Sequence, residues 1–161
     1  MLEKPSMPSL VIRLATPDDI ATIDALDSFS NSPTRDIHRD VEKYFGSVDP
    51  SIHEYTFIFL AEVDGIAAAK AELMLPPGTG MLRTTGYIKR VVTHPDYRGR
   101  GLARKLMQHI IQFARTTHQA EAIDLHVWEG NQAAIALYED LGFQIQHRER
   151  YYRLNLEDST S

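Results

Sequence analysis

Three arginines and two glycines crowd one short stretch, Asp96-Tyr97-Arg98-Gly99-Arg100-Gly101-Leu102-Ala103-Arg104. Glycine lets a backbone approach a ligand with no Cβ in the way. If a helix starts here, its free N–H groups and the positive end of its dipole face the same point. Arg98, Arg100 and Arg104 add charge there. The chemistry that fits is capture of an anion such as a phosphate. A dinucleotide fold would need Gly-x-Gly-x-x-Gly, and a P-loop would end in Gly-Lys-Ser/Thr; neither occurs. A second candidate is His126, in Asp124-Leu125-His126-Val127-Trp128. Histidine titrates near pH 6.5 and can accept a proton around neutrality. The chain has no cysteine, so it has neither a thiolate nucleophile nor a thiolate metal site. The other histidines, His38, His53, His94, His109, His118 and His147, are scattered without the spacing of a metal site.

These groups need elements to hold them. Ile88, Val91 and Val92 are β-branched and suit a buried strand. Pro95 cannot continue a ladder, so the strand should stop near Thr93 or His94. From Leu102 the apolar residues follow a helical period through Leu106, Ile110 and Phe113. The pattern predicts a strand over about 82–93 and a helix over about 99–117. A strand over 122–128 would put Asp124, His126 and Trp128 on one face. A helix over 131–141 would start at Asn131 and end at a C-cap glycine, Gly142.

The remaining elements are ordinary. Leu10 to Leu14 reads as a strand. Thr16-Pro17-Asp18-Asp19 reads as a helix start, with a capping Thr, Pro at the first position and acids in the first turn. Phe29 to Thr34 reads as a loop, and a second helix is expected over about 35–45. Asp64-Gly65 signals a hairpin between strands at 55–63 and 66–75. Pro76 to Gly80 is a loop, and strands are expected over 143–146 and 149–156. The expected organisation is a flexible arm over 1–9, one domain over 10–156 and a flexible tail over 157–161.

Length and composition agree. The chain has 161 residues, 43% hydrophobic and 24% charged, which suits one soluble globular domain with a sizeable core. Its 17 basic and 22 acidic residues give a formal charge of −5, which argues against an electrostatic nucleic-acid binder. No apolar run approaches a membrane span. The first nine residues contain two prolines and no apolar core of a secretory signal. The expectation is a cytoplasmic protein, monomeric or homodimeric, with no nucleic-acid or membrane partner.

The spacing Arg98-x-x-Gly101-x-Ala103, after Pro95-Asp96-Tyr97, resembles the acyl-CoA pyrophosphate loop of the GNAT acetyltransferase superfamily. A second block, Asn131 followed by Leu137-Tyr138-Glu139-Asp140-Leu141-Gly142-Phe143, resembles that family's other signature. The resemblance implies a mixed α/β fold: a six- or seven-stranded mixed sheet flanked by about four helices. The central strand and the next parallel strand would splay apart around the acyl-CoA. It also implies an acetyl-CoA-dependent N-acetyltransferase acting on a primary amine by direct attack, with acetyl-CoA as cosubstrate and no metal.

On the same basis, the backbone of Val91, Val92 and Thr93 would lie along the pantetheine arm. Arg98, Gly99, Arg100, Gly101, Leu102, Ala103 and Arg104 would hold the pyrophosphate. Asn131 and Tyr138 would also reach the cofactor. Tyr138 would be the general acid, since a phenol near pKa 10 can protonate a thiolate near 8.5 at modest cost. Leu125-His126-Val127, Tyr87 and Tyr151-Tyr152 further resemble a subset, the N-terminal amino-acid acetyltransferases. There Tyr87 and His126 would deprotonate the amine through water, and Phe29, Tyr87, Tyr151 and Tyr152 would border the acceptor. The segment 29–34 is polar apart from Phe29. Peptide α-amines, free amino acids, small amines and lysine side chains therefore all stay open as acceptors, as does an idle acyl-CoA-binding domain.

Overall fold

The structure is a computed structural model that describes residues 8–45, 54–76 and 84–157. Its contacts divide the chain into two compact units, Met1–Trp128 and Glu129–Ser161.

The first unit is a five-stranded sheet with helices on both faces. Its elements are β1 (Leu10–Leu14), α1 (Ile20–Asp27), α2 (Val41–Tyr44), β2 (Tyr55–Val63), β3 (Ile66–Leu75), β4 (Thr85–Thr93), α3 (Leu102–Thr117) and β5 (Ala122–Leu125). The strands lie in sequence order; β1 to β4 are antiparallel neighbours, and β4–β5 is parallel. Asp64 and Gly65 both have positive φ and close the β2–β3 hairpin as the sequence predicts. Ser9 exchanges hydrogen bonds with Asp64, to its side chain and its backbone, which ties the chain down just before β1. At the start of α1, the Thr16 N–H donates to Asp19 at 2.8 Å, and Asp19 also accepts from Arg13.

One sheet face carries Ile58, Leu60 and Val92 beneath Ile20, Ile23 and Leu26 of α1, with Ile37 and Tyr44 alongside. The other lies under α3, whose Leu102, Leu106, Met107, Ile110 and Ala114 are buried. Phe113 of α3 meets Phe57 and Phe59 edge-on, with centroids 5.2 and 5.0 Å away. Each fully buried aliphatic here is worth about 1.5–3 kcal/mol. No helix among the described residues is long and apolar enough to cross a membrane.

The α1 face also buries charge. Lys70 and Glu72 have no exposed surface. Arg35 forks onto Glu72, with Nη1 2.6 Å from Oε1 and Nη2 on Oε2. Arg35 also donates to Asp27 at 3.0 Å. Lys70 Nζ donates to Glu72 at 2.7 Å and to the Arg90 carbonyl at 3.2 Å. It lies 2.8 Å from Asp27 Oδ1, an ion pair whose angle does not make a hydrogen bond. Burial alone would raise the Glu72 carboxyl; the Arg35 hydrogen bond, then the Lys70 and Arg35 charges, outweigh it and hold it at about 2.

Several expected elements differ. Five strands form among the described residues instead of six or seven. Residues 143–157 make no ladder, and Ile145, Tyr151, Tyr152, Leu154 and Leu156 stay exposed. Apolar alternation is local, but a strand exists only with a paired neighbour. β5 stops at Leu125 rather than Trp128, because its last partner on β4 is Ile88, just before β4 bulges. The helix expected over 35–45 shrinks to α2, preceded by a turn over 37–40. Ile37 is still buried, and Val41 and Phe45, four and eight residues on, pack against the same cluster, so the apolar spacing marked the packing face but not the helix length. The start of the strand expected at 82, and most of the Pro76–Gly80 loop, lie outside the described residues.

The second unit contains α4 (Gln132–Asp140). The Asn131 side chain accepts from the Ala134 N–H at 3.2 Å and caps it. Its other end is a Schellman closure at Gly142, φ +101°, with Phe143 N–H on the Tyr138 carbonyl and Gly142 N–H on Glu139.

The Glu72 carboxyl titrates lower in the folded chain than its ordinary value of 4.5. Its stabilisation is therefore complete above about pH 4.5 and fades as pH falls towards 2. Glu72→Gln should cost about 3–5 kcal/mol near neutrality, since it strands Lys70 and Arg35. It should also flatten the acid limb of a stability–pH curve from urea titrations. An unchanged acid limb would show that Glu72 is not its source.

Candidate active site

β4 is where the site is built. Lys89 pairs with Glu72 and Val92 with Lys70, so Arg90 and Val91 together face Ala71 alone. This is a β-bulge, and Arg90 adopts φ +53° to make it. Lys70 holds its carbonyl. On the other edge, β5 pairs with β4 only from Thr85 to Ile88. From Lys89 to Thr93 that edge of β4 has no strand partner among the described residues, so its backbone groups are available to a ligand. Val91, Val92 and Thr93 lie in this parted segment. The Val92 side chain is buried in the α1 face, which leaves its backbone as the ligand-facing part.

Beyond Thr93 the chain makes a short 3₁₀ turn over Pro95–Tyr97, then the glycine turn. His94 Nδ1 accepts from the Asp96 N–H at 3.1 Å and fixes the turn. Gly99 and Gly101 have φ of +77° and +74°, and a Cβ at either would meet nothing within 4 Å. Both glycines are thus required by backbone conformation, and both face open space. The first ladder bond of α3 runs from the Lys105 N–H to the Gly101 carbonyl, so the N–H groups of Leu102 and Ala103 lie in the first turn, ahead of the ladder. Arg98 donates to the Thr93 carbonyl at 3.4 Å, and Arg100 lies over the Tyr97 ring at 5.0 Å. The arrangement can receive a phosphate-bearing ligand: open glycines, N–H donors of a helix's first turn and local positive charge.

At the opposite end of β4, the Tyr87 hydroxyl lies 2.6 Å from His126 Nδ1. Tyr87 pairs with Asp124 across the last parallel rungs, and His126 follows β5 by one residue. Burial, then the Asp124 charge, push the Tyr87 phenol up, opposed by the His126 backbone. Tyr87 therefore stays protonated at neutral pH and can trade a proton with the imidazole. Two residues further along β4, Lys89 is half-buried; burial pushes its ammonium down, Glu72 opposes this, and Arg35, Arg90 and Lys43 add to it. The sequence reading missed Lys89 and the buried charges beside it. The signal was present as Lys70-x-Glu72 inside an apolar strand and Lys89-Arg90 inside a β-branched one.

The structure does not bring Phe29 to this pair. Its ring meets His94 edge-on at 4.8 Å, at the other end of β4. It borders an open groove of about 480 Å³ with Arg13, Glu62 and Ile66. In the second unit, Tyr138 packs edge-on against Phe143 at 5.9 Å, and burial pushes its phenol up. Tyr151 and Tyr152 are 69% and 80% exposed and stand in no strand.

A bulged strand, parted from its parallel neighbour and leading through a glycine turn into a long helix, defines a mixed α/β domain with a cleft along its central strand. The profile of the Acetyltransferase (GNAT) family matches residues 20–143, and the chain belongs to that family. It is 41% identical over 66 residues to the N-alpha-acetyltransferase RimI of Mycobacterium tuberculosis, an alignment covering 40% of this chain and 39% of that protein. It is 31% identical over 102 residues to a glucosamine 6-phosphate N-acetyltransferase of Trypanosoma brucei brucei, covering 63% and 65%. The chain thus spans less than two thirds of either relative. AAC(6')-Iy, solved in complex with a CoA-S-monomethyl-acetylneamine bisubstrate analog, shares the fold at a TM-score of 0.71 and 19% identity, over 91% of this chain and 99% of that one.

In a spectrophotometric titration of the phenols, Tyr87→Phe and Tyr138→Phe should each remove one tyrosine from the late-ionising fraction, because both phenols are raised. Loss from the ordinary fraction near pH 10 would contradict the burial argument.

Proposed function

We propose that this chain transfers an acetyl group from acetyl-CoA to a primary amine by direct attack, and that the amine is the α-amine of a peptide or protein. The observation that carries the proposal is the Tyr87–His126 contact of 2.6 Å beside the parted edge of β4. It supports a proton relay at the point where an acceptor amine would enter.

The thioester supplies the electrophilic carbonyl. The chain's residues do the rest. Gly99 to Arg104 hold the pyrophosphate through backbone N–H groups and arginine charge. The Val91–Thr93 backbone receives the pantetheine arm. An N–H past the bulge donates to the carbonyl oxygen as it gains charge, a role typically worth about 2.7–4 kcal/mol. The amine proton passes to the Tyr87–His126 pair as the C–N bond forms, and the Tyr138 phenol gives its proton to the departing thiolate. Asn131 caps α4 and reaches the cofactor arm.

A mild base suits an α-amine. With a pKa of about 7.7–8.0, on the order of a tenth of it is neutral at pH 7, whereas a lysine amine near 10.4 is almost wholly protonated. The exposed rings of Tyr151 and Tyr152 offer apolar surface to a peptide chain. The similarity to a glucosamine 6-phosphate N-acetyltransferase supports a second reading, a small-molecule amine acceptor. Release of free CoA thiol across peptides, amino acids and amino sugars decides between them, and no release with any amine would leave an idle acyl-CoA binder.

Gly101→Glu should abolish acetyl-CoA binding in a calorimetric titration. It puts a carboxylate into the turn, while the open space around Gly101 limits the cost to backbone strain of about 1–2 kcal/mol. Unchanged affinity would remove the pyrophosphate assignment.

His126→Ala should slow transfer by roughly 10²–10⁴-fold. The rise of rate with pH should flatten, and high pH should partly restore the rate by deprotonating the acceptor in solution. A wild-type pH profile in the variant would rule His126 out as the base.

A further inference from the structure

We infer that Lys89 is an acceptor-side carboxylate receptor: the preferred acceptor carries a carboxylate close to its reacting amine. This rests on the proposed function and narrows it.

The argument begins with placement. Tyr87 pairs with Met74 and Lys89 with Glu72 across the same two strands, so both side chains leave the same sheet face. They are two residues apart, roughly 7 Å along the strand. An amine held at the Tyr87–His126 pair therefore has Lys89 within reach of its next few atoms.

Next comes charge. The charges that act on Lys89 are Glu72 against Arg35, Arg90 and Lys43, three cations to one carboxylate, and Glu72 is already engaged. Glu72 Oε1 accepts from Arg35, and Oε2 from Arg35 and Lys70. Asp27 Oδ2 accepts from Arg35, and Oδ1 lies against Lys70. The cluster is already matched within itself, and the two buried side-chain atoms left without a hydrogen-bond partner among the described residues, Arg35 Nε and Asp27 Oδ1, both belong to it. None of these carboxylate oxygens lies within ion-pair distance of Lys89, which makes no ion pair or hydrogen bond among the described residues. A half-buried ammonium in such surroundings is costly to keep unless an anion joins it. Its placement beside the proton relay makes that anion part of the acceptor. Two sources share this chemistry: the α-carboxylate of a free amino acid, and an Asp or Glu next to a peptide's N-terminal residue.

The test compares kcat/KM, by CoA thiol release, for two matched acceptor pairs: a peptide with Asp against Asn after its first residue, and a free amino acid against its amide. The wild type should prefer the carboxylate in one pair by about tenfold or more, the scale of one charge-assisted hydrogen bond, and the pair that responds identifies the source. In Lys89→Met the ratio should fall towards one; in Lys89→Arg part of it should survive. Because each ratio is taken within one protein sample, partial misfolding cancels. Equal rates within both pairs in the wild type, or a preference retained by Lys89→Met, would overturn the inference. Calorimetric titration of the same acceptors with CoA present separates this from failure of the proposed activity. Lys89-dependent binding of the carboxylate without turnover would keep the receptor and sink the acetyltransferase reading. Turnover without discrimination would do the reverse, and neither binding nor turnover would sink both.

Discussion

Two residues of β4, Arg90 and Val91, occupy the length that one residue, Ala71, occupies on β3. A sheet cannot absorb that mismatch silently. The extra residue bends the strand and breaks its ladder, and the β4–β5 pairing ends at the rung just before it. The segment from Lys89 to Thr93 is thereby left with an open edge in the middle of the chain's main sheet. Without the bulge, β5 could pair onward through Trp128, as its sequence invites, and would close the edge proposed for the thioester arm. The conformation has a cost, since Arg90 holds φ +53° without being glycine. The buried Lys70 ammonium holds the Arg90 carbonyl, and the Arg90 guanidinium donates to the Pro33 carbonyl at 2.9 Å. Strand and loop are fixed against each other by one residue.

The charges around that bulge are not a device for maximal stability. Desolvating two carboxylates and three cations costs several kcal/mol per ion, and apolar replacements of the same volume are often as stable or more so. What the network supplies is definition. It ties the end of α1, the segment after it and two central strands through atoms whose geometry tolerates little error. The uncharged residues around it, Ile58, Leu60 and Val92, could slide; a forked Arg35–Glu72 contact cannot.

Residues 98–104 were legible in the sequence because their signals are local. Glycines with positive φ, a proline that ends a strand and a helical period starting at Leu102 each report on a few neighbouring residues. Asn131 and Gly142 were legible as caps for the same reason. The Tyr87–His126 contact was suggested only by resemblance, because 39 residues separate the partners and no local rule pairs them. The misses were long-range. The strand length of β5 depends on where β4 bends, and the strands expected over 143–156 depended on neighbours that alternation cannot supply. Phe29 lies beside His94, past the end of β4 away from Tyr87, since nothing in a loop sequence fixes which end of a strand it reaches.

Lys89 marks where sequence logic and structural logic part company. Read along the chain, Lys89-Arg90 in a β-branched strand is a local inconsistency, two cations where apolar residues belong. Such conflicts concentrate at functional sites, because folding alone gives no reason to keep them. The structure resolves half of this one. Arg90 has a structural task in the bulge, with acceptors on Pro33 and Asp27. Lys89 has none among the described residues, and it stands two residues from Tyr87 of the Tyr87–His126 contact, on the same face. A half-buried ammonium that makes no ion pair among the described residues, costs desolvation and borders the proposed site is most simply explained by what binds there. The same excess of positive charge would also favour the neutral form of an incoming amine over its ammonium. Recognition of a carboxylate and readiness of the nucleophile would then share one electrostatic origin.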